Sequence, residues 1–458
     1  MIRRTLLLTL FVPTVALAQT PTSLPSPDLL QRARMIQRKT SRLRGLASRR
    51  RVTIGVMSRA RILEYVEQKL AEQYTTAEIE ADAAVLKALG LLPATLDYRA
   101  TVLGMLREQV AGFYDPRSRT LNLADWIPIE LQEPALSHEL CHALQDQHFN
   151  LKRLTRPIKD NSDRQLALAA VIEGDCTGVM LEYMLLGQGV DLGTMPDGMA
   201  RLARQSMVGQ GSDMLRKAPA FLRETMFFPY LHGLELMQQI RSRHPWSQVN
   251  ALYRRTPDST EQILHPAKYW RRERPVVIRS GRHLPALDGY HLLKEDVLGE
   301  FQLAQLLEPG VSRDVAQRAA AGWGGDHLAA YRKADGPGDP LLIHLSSWDS
   351  DADALEYVNA LRFVLAKRGF KPATEPAEVG VLSRALRSAR ERGSPAPRAE
   401  VWVYADSADR RWSVQLEDRQ VLMLGLAPKA IRPALQQQVW QQWRVGGRRI
   451  TPSRPPAR

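Results

Sequence analysis

A predominantly helical α+β fold is expected from three features of the 458-residue sequence. Apolar residues recur at three- and four-residue spacing over long stretches, the period of a buried helix face. Residues 111–123 switch to two short extended runs around Asp115-Pro116-Arg117-Ser118, a hairpin pattern. Near the C-terminus, runs at 400–404, 412–416 and 420–424 alternate like strands of an antiparallel sheet. With 44% hydrophobic and 24% charged residues, the chain has the balance of a globular protein of two or three domains.

The first eighteen residues read as a secretory signal peptide. Arg3 and Arg4 precede an apolar stretch at 5–17, and Ala16-Leu17-Ala18 has the small-x-small form of a cleavage site. The residue directly after that site is Gln19 rather than Cys, which argues against lipoprotein processing. No later stretch reaches the roughly 18 apolar residues a membrane span requires. An exported, periplasmic or secreted protein is expected. Residues 19–52 read as a flexible, basic segment with a helical pattern at 29–46. Amphipathic helices follow at 58–74, 76–89 (stopped by Gly90) and 98–110. The formal charge is +14, or +12 without Arg3 and Arg4 (14 − 2). Export and the lack of any nucleic-acid motif argue against a nucleic-acid partner. A charge of that sign instead favours loose association with anionic cell-envelope surfaces.

The run 135–149 contains no Gly or Pro and is rich in Ala, Leu, Glu and Gln, so it reads as a helix, with Pro134 at its start. It carries His138-Glu139-Leu140-Cys141-His142. At 3.6 residues per turn the two histidines project from one face about 40° apart. Two neutral imidazoles so placed can share one Zn²⁺, and Glu139 lies beside it as a base for an activated water. The apolar stretch 166–179 holds a single glutamate, Glu173, and a buried carboxylate needs a partner. Zinc is one, which makes His138, His142 and Glu173 the expected ligands. Asp175 and Asp146 are candidates for orienting the ligand imidazoles. Cys141 and Cys176, the only cysteines, each lie three residues after an expected ligand. They either meet as a disulfide between two packed helices or stay as buried free thiols.

His138-Glu139-x-x-His142 with a glutamate on a later helix resembles the gluzincin branch of zinc metallopeptidases, of thermolysin-like architecture. The chain is also similar to a family of secreted bacterial proteins classed by sequence as metallopeptidases. The matching stretches are Gly112-Phe113-Tyr114-Asp115-Pro116, His138 to Gln147, Glu173-Gly174-Asp175, Ser259-Thr260-Glu261-Gln262-Ile263-Leu264-His265-Pro266 and Gly322-Trp323-Gly324-Gly325-Asp326. The resemblance implies a zincin-like domain, at about 53–290. It also implies Zn²⁺ held by His138, His142 and Glu173, Glu139 as catalytic base, and a peptide or protein substrate. One departure stands out: where the thermolysin pattern has an acid four residues past the third ligand, this chain has Thr177.

Such a peptidase needs a donor for the developing oxyanion besides the metal. His265 is the first candidate and Tyr269 the second. Residues 187–216, rich in Gly and Met, have the composition of a covering segment. Residues 220–240 read as a helix interrupted at Pro229, carrying Tyr230 and His232. From 291 to 445 a smaller α+β module is expected, with a helix from Glu295 to Leu307, a tight turn at 322–326 and a helix at 351–368. In it Trp323, Trp348 and Asp349 either shape a binding cleft or fill core and turn positions. The Arg/Pro-rich residues 446–458 read as a disordered tail. Two other functions fit the same motif: a zinc amidase acting on cell-wall peptides, and a non-catalytic envelope binding protein with a vestigial metal site.

Overall fold

The computed structural model describes residues 25–449 apart from 110–111, 128, 159, 196–197, 199–212, 282, 335–337, 374–398, 407–409 and 447. The expected signal peptide, most of the covering segment and residues 450–458 of the expected tail lie outside that set. No helix among the described residues is long and apolar enough to cross a membrane.

The chain opens on α1 (Pro27–Arg44). Ser26 caps it by accepting from the Leu29 N–H at 3.1 Å, and Gly45 ends it in the left-handed conformation (φ 69°). Its Ala33 and Ile36 pack against Leu136 and Leu140, so the segment expected to be flexible is docked on the histidine-bearing helix. Residues Thr53–Met57, unmarked in the sequence, form β1. It runs parallel to β3 (Thr120–Ala124), which pairs antiparallel with β2 (Gly112–Asp115). The order β1-β3-β2 leaves β2 at an edge. Between β1 and β2 come α2 (Arg59–Gln73), α3 (Thr76–Leu89) and α4 (Tyr98–Gln109).

After the hairpin come α5 (Ile129–Phe149), α6 (Leu151–Leu154), α7 (Ser162–Met184), α8 (Asp213–Lys217) and α9 (Ala220–Arg241). Then follow α10 (Trp246–Arg254), α11 (Glu261–Leu264) and α12 (Pro266–Arg271). Helix α5 starts before Pro134 rather than at it, and α9 runs through Pro229 without a break. A proline inside a helix forfeits one backbone bond, and surrounding packing offsets that loss. Helices α7 and α9 cross at two glycines. A Cβ on Gly174 would sit 2.2 Å from the Gly233 backbone, and one on Gly233 2.2 Å from the Ala170 carbonyl oxygen. Only hydrogen fits at either position.

The second half is built on an antiparallel sheet, β5-β6-β7-β11-β10-β9-β8. Its strands are β5 (Tyr290–Asp296), β6 (Trp323–Lys333), β7 (Leu341–Trp348), β8 (Lys371–Pro372), β9 (Ala399–Ala405), β10 (Arg411–Glu417) and β11 (Gln420–Gly425). The expected turn at 322–326 is mostly the start of β6. Likewise the helix expected from Glu295 is strand β5 first, then α13 (Gly299–Leu307). The Asp326 carboxylate sets that start, accepting from the N–H groups of Leu298 and Gly299 at 2.9 and 2.8 Å. Helices α14 (Arg313–Ala320) and α15 (Asp351–Lys367) cover one face of the sheet and α16 (Arg432–Gln442) the other. Trp323 and Trp348 are fully buried, which makes them core residues. The expected tail begins with structure: β12 (Arg444–Val445) pairs with β13 (Arg448–Arg449) and with β4 (Ile278–Arg279). One apolar cluster joins Val85, Met105 and Phe227 of the first half to Leu328, Leu342 and Val414 of the sheet.

Candidate metal centre

Helices α5 and α7 are packed together and tied by a disulfide between Cys141 and Cys176, with Cα atoms 5.4 Å apart. Successive residues on a helix turn by about 100°. On α7 this gives the three residues of Glu173-Gly174-Asp175 separate tasks. Glu173 faces α5, Gly174 meets α9, and Asp175 reaches back toward α1.

His138, His142 and Glu173 converge. Nε2 of His138 lies 3.1 Å from Glu173 Oε2 and 3.0 Å from His142 Nε2, and His142 Nε2 lies 3.4 Å from Glu173 Oε2. A tetrahedral zinc with bonds of about 2.0–2.1 Å separates neighbouring ligand atoms by about 3.3 Å, so the three distances fit the edges of one coordination polyhedron. Charge supports the same conclusion. Burial alone would push Glu173 up and His142 down. Their attraction overrides it, lowering Glu173 to about 2 and raising His142 to about 9. A positive charge between these groups, a proton or a metal ion, would be favoured by the same attraction.

The imidazole of His142 is oriented from outside. Its Nδ1–H donates to Gln145 Oε1 at 2.9 Å, so the proton given up on metal binding would be the one on Nε2, which faces the other ligand atoms. Gln145 thus does what a carboxylate often does behind a metal-bound histidine, and the carboxylate of Asp175 stands one link further out. Asp146, the other expected orienting acid, holds no ligand. It accepts from the Tyr114 hydroxyl at 3.1 Å and from Arg50 at 3.3 Å. Thr177 makes no hydrogen bond through its buried hydroxyl.

Glu139 sits at the edge of the small sheet. Its Oε2 accepts from the Tyr114 backbone N–H at 2.7 Å, so the outward side of β2 faces the carboxylate. By the two-residue period of a strand, the backbone groups of Gly112 face the same way.

The expected donors are elsewhere. His265 pairs with the buried Glu300 at 2.8 Å. Tyr269 donates to the Arg255 carbonyl at 2.8 Å beneath the Arg255 guanidinium. Neither contacts the triad among the described contacts, because Glu300 and the Arg255 carbonyl hold them instead. Sequence reasoning passed over Tyr230. Its ring lies 6.2 Å from the His138 ring, and burial together with the charges of Glu173 and Glu139 holds its phenol protonated. The signal was present, a tyrosine on a helix of the same region, but the assumed break at Pro229 hid which way it faces. His232, two residues on and about 200° round the helix, contacts Phe228, Glu235 and Phe301 instead.

A second acidic group, Glu261, Glu273 and Asp349, has metal-like spacing. The Lys268 ammonium already fills it, at 2.6, 3.0 and 2.6 Å. This also accounts for Asp349 as a structural partner.

A family model described as a domain of unknown function (DUF8575) matches residues 290–431, from the first residue of β5 to the turn before α16. No curated protein and no solved structure matches the chain.

Proposed function

We propose that the chain is an exported zinc-dependent metallopeptidase with a zincin-like catalytic unit. The observation that carries the reading is the triad, with three ligand atoms 3.0–3.4 Å apart and Glu139 beside them at the edge of a sheet. The Cys141–Cys176 disulfide suits an oxidising compartment and supports export.

His138 and His142 through Nε2, and Glu173 through its carboxylate, would hold the ion. Zinc there supplies a Lewis acid that polarises a carbonyl and makes water nucleophilic at neutral pH. Glu139 has Oε2 fixed by the Tyr114 N–H, which leaves Oε1 to take a proton from the attacking water and deliver it to the leaving amine. An extended peptide would lie along the outer edge of β2, pairing with the backbone of Gly112 next to the base. Main-chain pairing of this kind binds peptides with little sequence selectivity. Tyr230, a neutral phenol beside Glu173, donates to the developing oxyanion.

The test is incubation of zinc-loaded protein with a diverse peptide pool, read by mass spectrometry beside Glu139→Gln. Cleavage by the wild type alone is expected. Cleavage of neither peptides nor cell-wall fragments by zinc-saturated wild type would remove the hydrolase reading. Cleavage of cell-wall fragments alone would change the substrate class and keep the chemistry.

A further inference from the structure

Arg44, the last residue of α1, lies deep inside the molecule with no exposed side-chain surface, as does its partner Asp175. All parts of its guanidinium are engaged. Nε–H donates to Asp175 Oδ1 at 2.6 Å, Nη2 to Asn250 Oδ1 at 2.9 Å, and Nη1 to the Trp246 carbonyl at 3.3 Å. The other oxygen of Asp175 accepts from Gln145 Nε2 at 3.0 Å. Gln145 Oε1 in turn accepts from His142 Nδ1–H. A continuous chain of hydrogen bonds therefore runs from the N-terminal helix to a metal-binding imidazole.

The chain has a direction because an amide has two ends. Gln145 can hold His142 in either of two tautomers. With Oε1 toward the ring, Nδ1 carries the proton and Nε2 is free to bind. With Nε2 toward the ring, Nδ1 must accept, the proton moves to Nε2, and the ligand is lost. What decides is the surroundings of the amide nitrogen. It faces three acceptors, the Tyr253 hydroxyl at 2.6 Å and Asp175 Oδ2 and the Ile172 carbonyl, both at 3.0 Å, and the Tyr253 hydroxyl donates in turn to Asp175 Oδ2 at 2.7 Å. Asp175 keeps Oδ2 there because Arg44 grips its other oxygen and the Tyr253 hydroxyl holds Oδ2 itself. Without Arg44 the carboxylate's only charged partner among the described residues is gone, Asp175 is freer to turn about the Tyr253 contact, and the amide's preference weakens.

We propose that Arg44 is a positioning residue of the metal centre, acting through Asp175 and Gln145 to hold His142 with Nε2 turned to the metal. The inference rests on the reading of the triad as a metal site. It also explains why α1, in a segment expected to be flexible, is built into the core at its C-terminal end.

The experiment compares wild type, Arg44→Lys, Arg44→Gln and Asp175→Asn as full-length chains. Zinc affinity is read by competition with a chromophoric chelator, and ligand geometry by the visible spectrum of the Co²⁺-loaded protein. Loss of a group behind a metal ligand typically weakens binding by about 10–100-fold. Arg44→Gln and Asp175→Asn should each fall in that range with an altered cobalt spectrum. A further variant combining Arg44→Gln with Asp175→Asn should lose no more than the worse single change, since both break one chain. Arg44→Lys keeps the charge but not the three-way fork, so a smaller loss is expected. Folding is checked by thermal unfolding of the metal-free forms. Should these variants fail to fold, Asn250→Asp, half-buried on the far side of the guanidinium, would draw Arg44 from Asp175 and should weaken zinc about threefold. Folded variants with wild-type zinc affinity and cobalt spectrum would overturn the proposal. A wild type that binds neither zinc nor cobalt would instead sink the metal-site reading on which it rests.

Discussion

At His142 the proposed zinc would take the place of a proton. In the metal-free protein the Glu173 carboxylate beside it raises it to about 9, against the effect of burial. A ligand nitrogen must be bare, so binding zinc releases that proton. The sign follows: below about pH 9 each unit of acidification should weaken zinc about tenfold, and above it the dependence should flatten. Chelator competition from pH 6 to 9 checks this, and a flat profile would contradict it. Tyr230→Phe should lower kcat by about 10²–10³-fold, the usual cost of one oxyanion donor, with zinc affinity unchanged. An equal loss of zinc affinity would make Tyr230 a structural residue. The triad could be read from sequence because two of its members obey helical spacing and the third is a lone acid in an apolar run. The donor could not. His265 and Tyr269 stood out by type and position, but their partners, Glu300 and the carbonyl of Arg255, are fixed by packing that no local pattern reveals.

At the scale of elements, the crossing of α7 and α9 places Tyr230 over Glu173. Gly233→Ala would drive a methyl group into the Ala170 carbonyl oxygen, and backbone cannot yield as a side chain can. A loss of about 3 kcal/mol or more is expected in denaturant unfolding, at the upper end of the overpacking range, with hydrolysis reduced because the crossing opens. A loss under ~0.5 kcal/mol would show the contact to be looser than the structure has it. The disulfide closes a loop of sequence separation 35, worth about 3–4 kcal/mol by the chain-entropy relation. Cys141→Ala/Cys176→Ala should fall short of wild type by that order, and reductant should then have no further effect on it. Helices with caps were legible, as with Gly90 ending α3 in the left-handed conformation. Strand β1 was not, because five residues containing Gly55 carry no alternation until their partner β3 is known.

The whole molecule is not two beads on a string. Val85 and Met105 share one apolar cluster with Leu328 and Val414. Asp163 at the start of α7 donates its backbone N–H to the Val297 carbonyl at 3.2 Å and accepts from Thr260 through its buried carboxylate. Thermal unfolding of the intact chain should therefore show one transition. A chain ending at residue 289 should lack it, having lost the partner of its own core. Two separate transitions, or a stable truncated chain, would contradict a shared core. The sequence suggested a break near residue 290 because a run of helix and strand patterns typical of an α+β module follows it. It could not show that the helices on one side would lean on the sheet of the other.

All of this depends on the triad holding a metal. The most direct measurement is native mass spectrometry of the mature protein after zinc loading and desalting, beside His138→Ala, His142→Ala and Glu173→Ala. One zinc per chain in the wild type, lost in each variant while the fold persists, is the predicted result. A wild type that stays metal-free at micromolar zinc, or one whose zinc survives all three substitutions, would contradict the account.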